Sequence, residues 1–289
     1  MPITHAADGE PLAFTVTGPA GPTPILTVHG LASSRQHWGF FSEHYARQRQ
    51  VIAWEFRGHG GQPVPRDRRS AAIPQLARDA HAVWAAAGTP PAIVTGLSFG
   101  VQVALELWRH HPACMRALVL ICGTAGHPLD RLTSWSRARS AAAGAVRAMA
   151  KRTWLHGPVR ALFAAPLGRR LASELAYASG GARRGACPRD VLDDLFTHVA
   201  GLDPEVLAEA VVSYLDHDAW DVLPTITVPT LILAGDRDQL TPVATAERMH
   251  RAIPGSRLVV FPGHSHLVQV ENPRAVHAAI DAFLADHGL

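Results

Sequence analysis

Cysteine is scarce, with only Cys114, Cys122 and Cys187 in 289 residues. An odd number without a CxxC pair or a metal-ligand spacing speaks against a disulfide framework and reads as buried or free thiols in a reducing compartment. Lysine is scarcer still: Lys151 is the only one, so arginine supplies nearly all of the 27 cationic residues behind a formal charge of +3. Together with abundant alanine, that bias is what a GC-rich coding sequence produces. No recognition motif and no interleaving of aromatic with basic residues accompanies it, so nucleic-acid binding is not expected. No stretch approaches the length of a membrane-spanning helix. Residues 1–10 lack a charged segment followed by an apolar run, so no secretory signal is read and a cytoplasmic location is expected. Internal repeats and low-complexity tracts are also missing.

What is present describes a compact globular chain. Hydrophobic residues make up 47% and charged residues 18%, and the length suffices for a substantial core. The 24 glycines and 22 prolines are spread along the chain, as many turns between short elements require. The alternating segment 12–17 follows the turn-forming Asp8-Gly9 and reads as half of a hairpin. Short apolar runs at 25–28, 51–54, 92–95 and 116–121 suit strands buried on both faces. Between them Ile73, Leu76, Ala77, Ala80, Val83, Trp84 and Ala87 recur at helical spacing up to Gly88. A second helix over 101–110 is stopped by Pro112. Alternating strands and helices predict an α/β fold with a mostly parallel sheet covered on both faces. From 126 to 223 the pattern is helical and strandless. It then resumes with strands at 230–234 and 258–261 and helices over 242–253 and 273–285. The simplest account is a core of 1–125 and 224–289, with a helical lid of 126–223 inserted after the sixth strand.

Gly96-Leu97-Ser98-Phe99-Gly100 fits G-x-S-x-G, and its position between a buried strand and a helix matters more than the pattern. There the serine occupies a sharp turn, its hydroxyl clear of the sheet and at a helix N-terminus that favours developing negative charge. Serine flanked by glycines is common in loops. The strand before and the helix after are what favour a nucleophile. Attack by Ser98 on a carbonyl creates an oxyanion that needs preformed N–H donors. The backbone amides of Phe99, next to the nucleophile, and Leu31, in the loop after 25–28, are the expected pair. His29 reads as a structural residue that bonds this loop together.

These segments resemble the α/β-hydrolase superfamily, in particular its lid-bearing branch of serine esterases, lipases and cofactor-free perhydrolases. The resemblance rests on His29-Gly30, Arg57-Gly58-His59-Gly60, Gly96 to Gly100, Gly235 to Pro242 and Gly263 to Pro273. It implies an acid in a G-x-x-D pattern after a late strand, which puts Asp238 in that position, with Asp236 a competitor better suited to turn bonding. It implies a base five residues before a Glu-x-Pro. Gly263-His264-Ser265-His266 offers two histidines, and counting back from Glu271-Asn272-Pro273 gives His266, with Ser265 where the family usually has glycine. The implied set is Ser98, Asp238 and His266. The serine nucleophile disfavours the alkyl-enzyme chemistry of aspartate-bearing relatives.

Within the insertion, residues 131–189 carry twelve basic residues against Glu174 alone, whereas 190–221 carry nine acidic residues and no Lys or Arg. The plainer reading is that the two halves pair with each other and with solvent. The sharper one is that the basic half attracts an anionic substrate, an acyl-carrier partner or a membrane surface. Trp135, Trp154, Phe163, Tyr177, Tyr214 and Trp220 either pack the insertion or line an acyl pocket, and His37-Trp38 faces either the pocket or its own loop. The expected activity is cleavage of a carboxylic ester, lactone or thioester of a small, apolar acyl substrate through acyl-Ser98. No cofactor and no metal are implied. Carbon–carbon hydrolysis or perhydrolysis by the same triad, and a ligand receptor that kept the fold, are the alternatives.

Overall fold

The computed structural model of the chain describes residues 1–128, 141, 144–146, 148, 149 and 151–289. Its strands are β1 (Ile3–His5), β2 (Pro11–Thr17), β3 (Ile25–Val28), β4 (Val51–Trp54), β5 (Ala92–Leu97), β6 (Met115–Ile121), β7 (Thr230–Gly235) and β8 (Arg257–Phe261). They form one sheet in the order β1-β2-β4-β3-β5-β6-β7-β8. The first two strands make an antiparallel hairpin, β2 pairs antiparallel with β4, and the pairs from β4 across to β8 are parallel. The hairpin expected around 12–17 therefore exists, and its other half is β1.

Side chains alternate across each strand and sort into two cores. Leu26, Ile52, Val94, Leu118 and Ile232 face α2 (Ile73–Ala87), α3 (Phe99–His110) and α8 (Val243–Ala252). Ile25, Val51, Ile93, Val119 and Leu231 face α1 (Gly39–Tyr45) and α10 (Pro273–Asp286). Every residue of β3, β4, β5 and β7 is buried, as a parallel sheet with both faces covered demands. Between β6 and β7 lie the helices α4 (Thr153–Ala164), α5 (Pro166–Ala178), α6 (Arg189–Gly201) and α7 (Pro204–Asp216), and the short α9 (Val268–Glu271) follows β8.

The two ends of the chain between β6 and β7 are tied to each other. Gly126 bridges Asp218, the Ala219 N–H donates to the Ala125 carbonyl at 2.8 Å, and His127 meets the Asp218 carboxylate at 2.9 Å. Among the described residues, acidic side chains of this segment form ion pairs outside it. Asp203 and Glu205 reach Arg68 at 3.7 and 3.8 Å and Asp221 reaches Arg109 at 2.6 Å, both arginines lying outside this segment. Glu174 holds Arg184 and Arg189 within the basic half.

Two buried features fix the loops that approach the C-terminal ends of the strands. Arg57, just after β4, donates to Asp79 of α2 at 2.7 Å and to Asp8 of the β1–β2 turn at 3.1 Å. Arg57 and Asp79 are both buried, whereas Asp8 is exposed. The second feature is a group of neutral histidines. His29 donates Nδ1–H to the Gly30 carbonyl at 3.0 Å and accepts the Phe56 N–H on Nε2 at 3.1 Å, lacing the β3 and β4 loops together as expected of it. Burial pushes its pKa well below the usual histidine value, and burial brings His59, whose ring lies 5.6 Å away, down to about 4.

Removing one partner of a buried ion pair strands the other charge. Asp79→Ala is expected to lower stability by about 3–5 kcal/mol and Asp8→Ala by under about 1 kcal/mol, both read from urea unfolding midpoints. Equal, small losses would refute the assignment. The histidines set a pH dependence. Between pH 6.5 and 4 the unfolded chain binds a proton that folded His59 refuses. Its contribution is therefore complete above that window and lost as the pH falls through it, up to about 3 kcal/mol. Glu55, raised to about 7 by burial, opposes this trend over part of the window. His59→Gln should flatten the fall of the unfolding midpoint below pH 6.5, and an unchanged slope would refute the account.

Candidate active site

Ser98 sits between β5 and α3 with φ +53° and ψ −115°. A non-glycine residue held in such a conformation costs about 1–3 kcal/mol, so its surroundings must enforce it. They do so by close approach. A β-carbon on Gly96 would come within 2.6 Å of the Gly100 carbonyl oxygen, and one on Gly100 would collide with Val28 and His29 carbonyl oxygens. The Ser98 N–H donates to the Ile121 carbonyl at 2.9 Å, and its own carbonyl accepts from Val101 at 3.0 Å. The hydroxyl is thus displayed above the ends of the central strands.

His266 reaches this hydroxyl from the loop after β8, with 2.9 Å between Ser98 Oγ and His266 Nε2. On the far side of the ring, Nδ1 lies 2.8 Å from Asp238 Oδ2, in the loop after β7. With the proton on Nδ1, the imidazole donates to the carboxylate and accepts from the serine. The carboxylate is buried and held by further donors: the Leu240 and Thr241 N–H groups reach Oδ1 at 2.8 Å each, and the Thr241 hydroxyl reaches Oδ2 at 2.7 Å. Burial alone raises its pKa, but the His266 charge and the bonds from His266 and Thr241 outweigh it and leave the carboxyl below the usual aspartate value. The chain Ser98–His266–Asp238 runs as one hydrogen-bonded line.

The competing residues are engaged elsewhere. His264 bonds the Pro262 carbonyl at 2.7 Å and lies 3.3 Å from the Asn272 amide, away from Ser98. Asp236 accepts the Gly263 N–H at 2.6 Å, which ties the β7 and β8 loops together where bonding within its own turn was expected. Ser265, in place of the usual glycine, donates its N–H to Glu271 at 2.8 Å and its hydroxyl to the same carboxylate. Glu271 also accepts the Arg183 N–H at 2.6 Å, and so links the histidine loop to the chain between β6 and β7. Sequence reasoning used Glu271 only as a landmark and missed Thr241. The Asp-x-x-Thr spacing, which lets a hydroxyl cap the carboxylate of a turn, was the available signal.

A cavity of about 460 Å³ opens onto Ser98 and His266. Leu31, Leu97, Leu195, Leu215, Leu267 and Val270 give it an apolar wall, and its described lining contains no Asp, Glu, Lys or Arg. Gly30 and Leu31 stand beside Ser98, the β-carbon position of Gly30 being 3.7 Å from the serine β-carbon. Among the described residues no acceptor meets the Leu31 N–H, and the Phe99 N–H, at the first position of α3, has no partner within its helix. His37 lines the cavity while Trp38 packs on Phe41 in the core, so this pair divides between the two expected roles. Tyr214 lines the cavity too, and Phe163 instead stacks on Phe196 at 5.5 Å. Tyr177 donates to the Cys187 carbonyl, Trp220 lies under Arg248, Trp154 faces solvent, and Trp135 falls outside the described residues.

Cys122, Asp238 and His266 bring possible metal-ligating atoms within 4.8 Å of one another. The arrangement fits a metal poorly. Burial and then Asp238 push the Cys122 thiol well above its usual pKa and away from the thiolate a metal takes, and donors already occupy both Asp238 oxygens.

The fold has counterparts among known proteins. The profile of the alpha/beta hydrolase family matches residues 25–279. The chain is 29% identical over 260 residues to the pimeloyl-[acyl-carrier protein] methyl ester esterase of Neisseria meningitidis serogroup B, covering 90% of this chain and 92% of that one. It superposes on a thermophilic esterase from Thermogutta terrifontis with a TM-score of 0.78 and 26% identity, over 99% of each chain. The enol-lactonase from Burkholderia xenovorans LB400 shares the fold at 19% identity, with a TM-score of 0.75 over 98% of this chain and all (100%) of that one. Among the described residues no helix is long and apolar enough to cross a membrane. A mostly parallel eight-stranded sheet, with the family profile running over residues 25–279, makes this protein an enzyme of the alpha/beta hydrolase family.

Proposed function

We propose that the protein cleaves a carboxylic ester, or a related lactone or thioester, through an acyl-Ser98 intermediate. The observation that carries this reading is the hydrogen-bonded line Ser98–His266–Asp238 at the floor of an apolar cavity. His266 Nε2 takes the hydroxyl proton as Ser98 Oγ attacks the carbonyl carbon. The oxyanion is received by the backbone amides of Phe99 and Leu31. As the tetrahedral intermediate collapses, His266 returns the proton to the departing alkoxide, or to the thiolate of a thioester. Water, deprotonated by the same nitrogen, then releases the acid and restores Ser98. Throughout, Asp238 keeps the Nδ1 proton in place and stabilises the imidazolium.

The uncharged lining supports a neutral ester with an apolar acyl group, because a substrate carboxylate inside that cavity would lie unpaired. The names of the relatives, an esterase of a methyl ester and an enol-lactonase among them, support the same reaction class. In this reading the core comprises 1–125 and 224–289, and the chain from 126 to 223 forms a lid that roofs the cavity with Ala176, Leu192, Leu195 and Leu215.

A fluorophosphonate probe is expected to modify the wild-type protein at Ser98, located by peptide mass spectrometry, and to leave Ser98→Ala unlabelled. On a soluble medium-chain ester, Asp238→Asn should lower kcat by about 10⁴-fold with the fold intact, since the imidazole then loses its tautomer. A folded wild-type protein that takes up no probe, or an Asp238→Asn variant within a few-fold of wild type, would overturn the assignment.

A further inference from the structure

Helices α4 and α5 turn apolar faces to solvent. Trp154, Pro158 and Leu162 follow one another at four-residue steps on α4, and Leu167, Leu171 and Leu175 do so on α5. That spacing sets each trio on one side of its helix. Trp154 is 71% exposed and Leu171 57%, with Leu167 and Leu175 more exposed than Leu171. The opposite faces do the packing: Phe163 of α4 stacks on Phe196 of α6, and Ser173 of α5 is buried. No residue of α4 is buried. Single exposed leucines are ordinary, but regular rows of them on two neighbouring helices mark a surface that meets something apolar.

The charge around these rows has one sign. Residues 151–189 hold eight Lys and Arg against Glu174 alone, and that glutamate is engaged by Arg184 and, at 3.2 Å, by Arg189. Lys151 and Arg152 directly precede α4 beside Trp154, and Arg170 precedes Leu171. Apolar rows edged by tryptophan and arginine are the composition of helices that lie in the interface of a bilayer. The face also leads toward the reaction site. Ala176, next after Leu175, lines the cavity that holds Ser98, as does Leu240, which is itself 48% exposed.

We propose that the α4–α5 face docks on an anionic phospholipid surface, with the leucines and Trp154 entering the acyl boundary and the flanking arginines meeting the phosphates. Positive charge around an apolar face is complementary to that partner. A second copy of this chain would bring like charges together, which opposes a symmetric dimer through the same face. Docking goes beyond the hydrolase reading and does not depend on it, because none of these side chains touches Ser98 or His266.

The test uses the full-length Ser98→Ala protein, so that it reads binding in the absence of turnover. Sedimentation with vesicles of equal phosphatidylglycerol and phosphatidylcholine is expected to carry the protein down. Pure phosphatidylcholine vesicles, or raised salt, should weaken the partition by about tenfold. Leu167→Asp/Leu171→Asp in the same background should lower it by about tenfold or more while the melting temperature is kept. The same pair of substitutions in the wild-type protein should leave hydrolysis of a water-soluble ester unchanged. Absence of binding to the anionic vesicles would overturn the proposal, as would binding indifferent to the leucine substitutions. So would a dimer dissolved by those substitutions, or capture by an acidic acyl-carrier protein without vesicle binding.

Discussion

No β-carbon fits at Gly96 or Gly100, and the rest of the site depends on that steric fact. The two glycines let α3 start so close to β3 that Ser98 is forced into a positive φ, with its hydroxyl aimed away from the sheet. The same closeness brings Gly30 to the serine, and among the described residues the N–H of the following Leu31 meets no acceptor. Strain of about 1–3 kcal/mol at Ser98 is small beside the core that holds it, since the residues of β5 and nearly all of α3 are buried. The turn is therefore stable without being relaxed. Parallel pairing of β7 and β8 with the central strands then carries Asp238 and His266 to the same edge, although 168 positions separate His266 from Ser98 in sequence.

Electrostatics at that edge follow a division of labour. Charges are concentrated where donors can surround them, as at Asp238 with its backbone and hydroxyl partners, and they are kept out of the cavity wall. The neutral histidines behind the β3 loop serve the same end. His29 donates a hydrogen bond to the Gly30 carbonyl and accepts one from the Phe56 N–H, so it satisfies two buried backbone groups without adding a charge. A protonated ring there would lose the acceptor that the Phe56 N–H uses.

Much of this was legible in the sequence, for reasons that differ by element. The buried strands announced themselves because a sheet covered on both faces needs unbroken apolar runs, and 25–28 and 51–54 became β3 and β4 without adjustment. The two histidines of the β8 loop looked alike locally, and the distance to Glu271, with the spacing from the strand at 258–261 in agreement, separated them. That distance carries information because the Glu271 carboxylate binds Ser265 and so sets which ring turns inward. Thr241 was not readable as part of the site and Tyr214 only as one of six aromatics with two open roles, since each acts through a contact made by folding: a hydroxyl on a carboxylate in one case, a ring at the cavity wall in the other. β1, α1 and α9 are short, and their place is decided by the surfaces they cover more than by their own periodicity. The charge asymmetry between β6 and β7 was plain to see, but its partners were not, because Asp203, Glu205 and Asp221 reach arginines more than a hundred positions away.

The chain between β6 and β7 is where these considerations meet, because α5 is bounded by two apolar environments of different character. Its C-terminal end reaches the cavity through Ala176 and Ser179, while its row of leucines stands in water. For a soluble substrate only the first boundary has a purpose, and the exposed row is a liability for aggregation. For a substrate dissolved in a lipid layer the two boundaries form one route, in which the acyl chain leaves one apolar phase at the outer face and enters another beside Ser98. The arginines fit the second case better than the first. They do not enter the cavity, where they would hold an anionic group fast, but flank the outer face, where they attract a charged surface and leave a neutral ester free to pass inward.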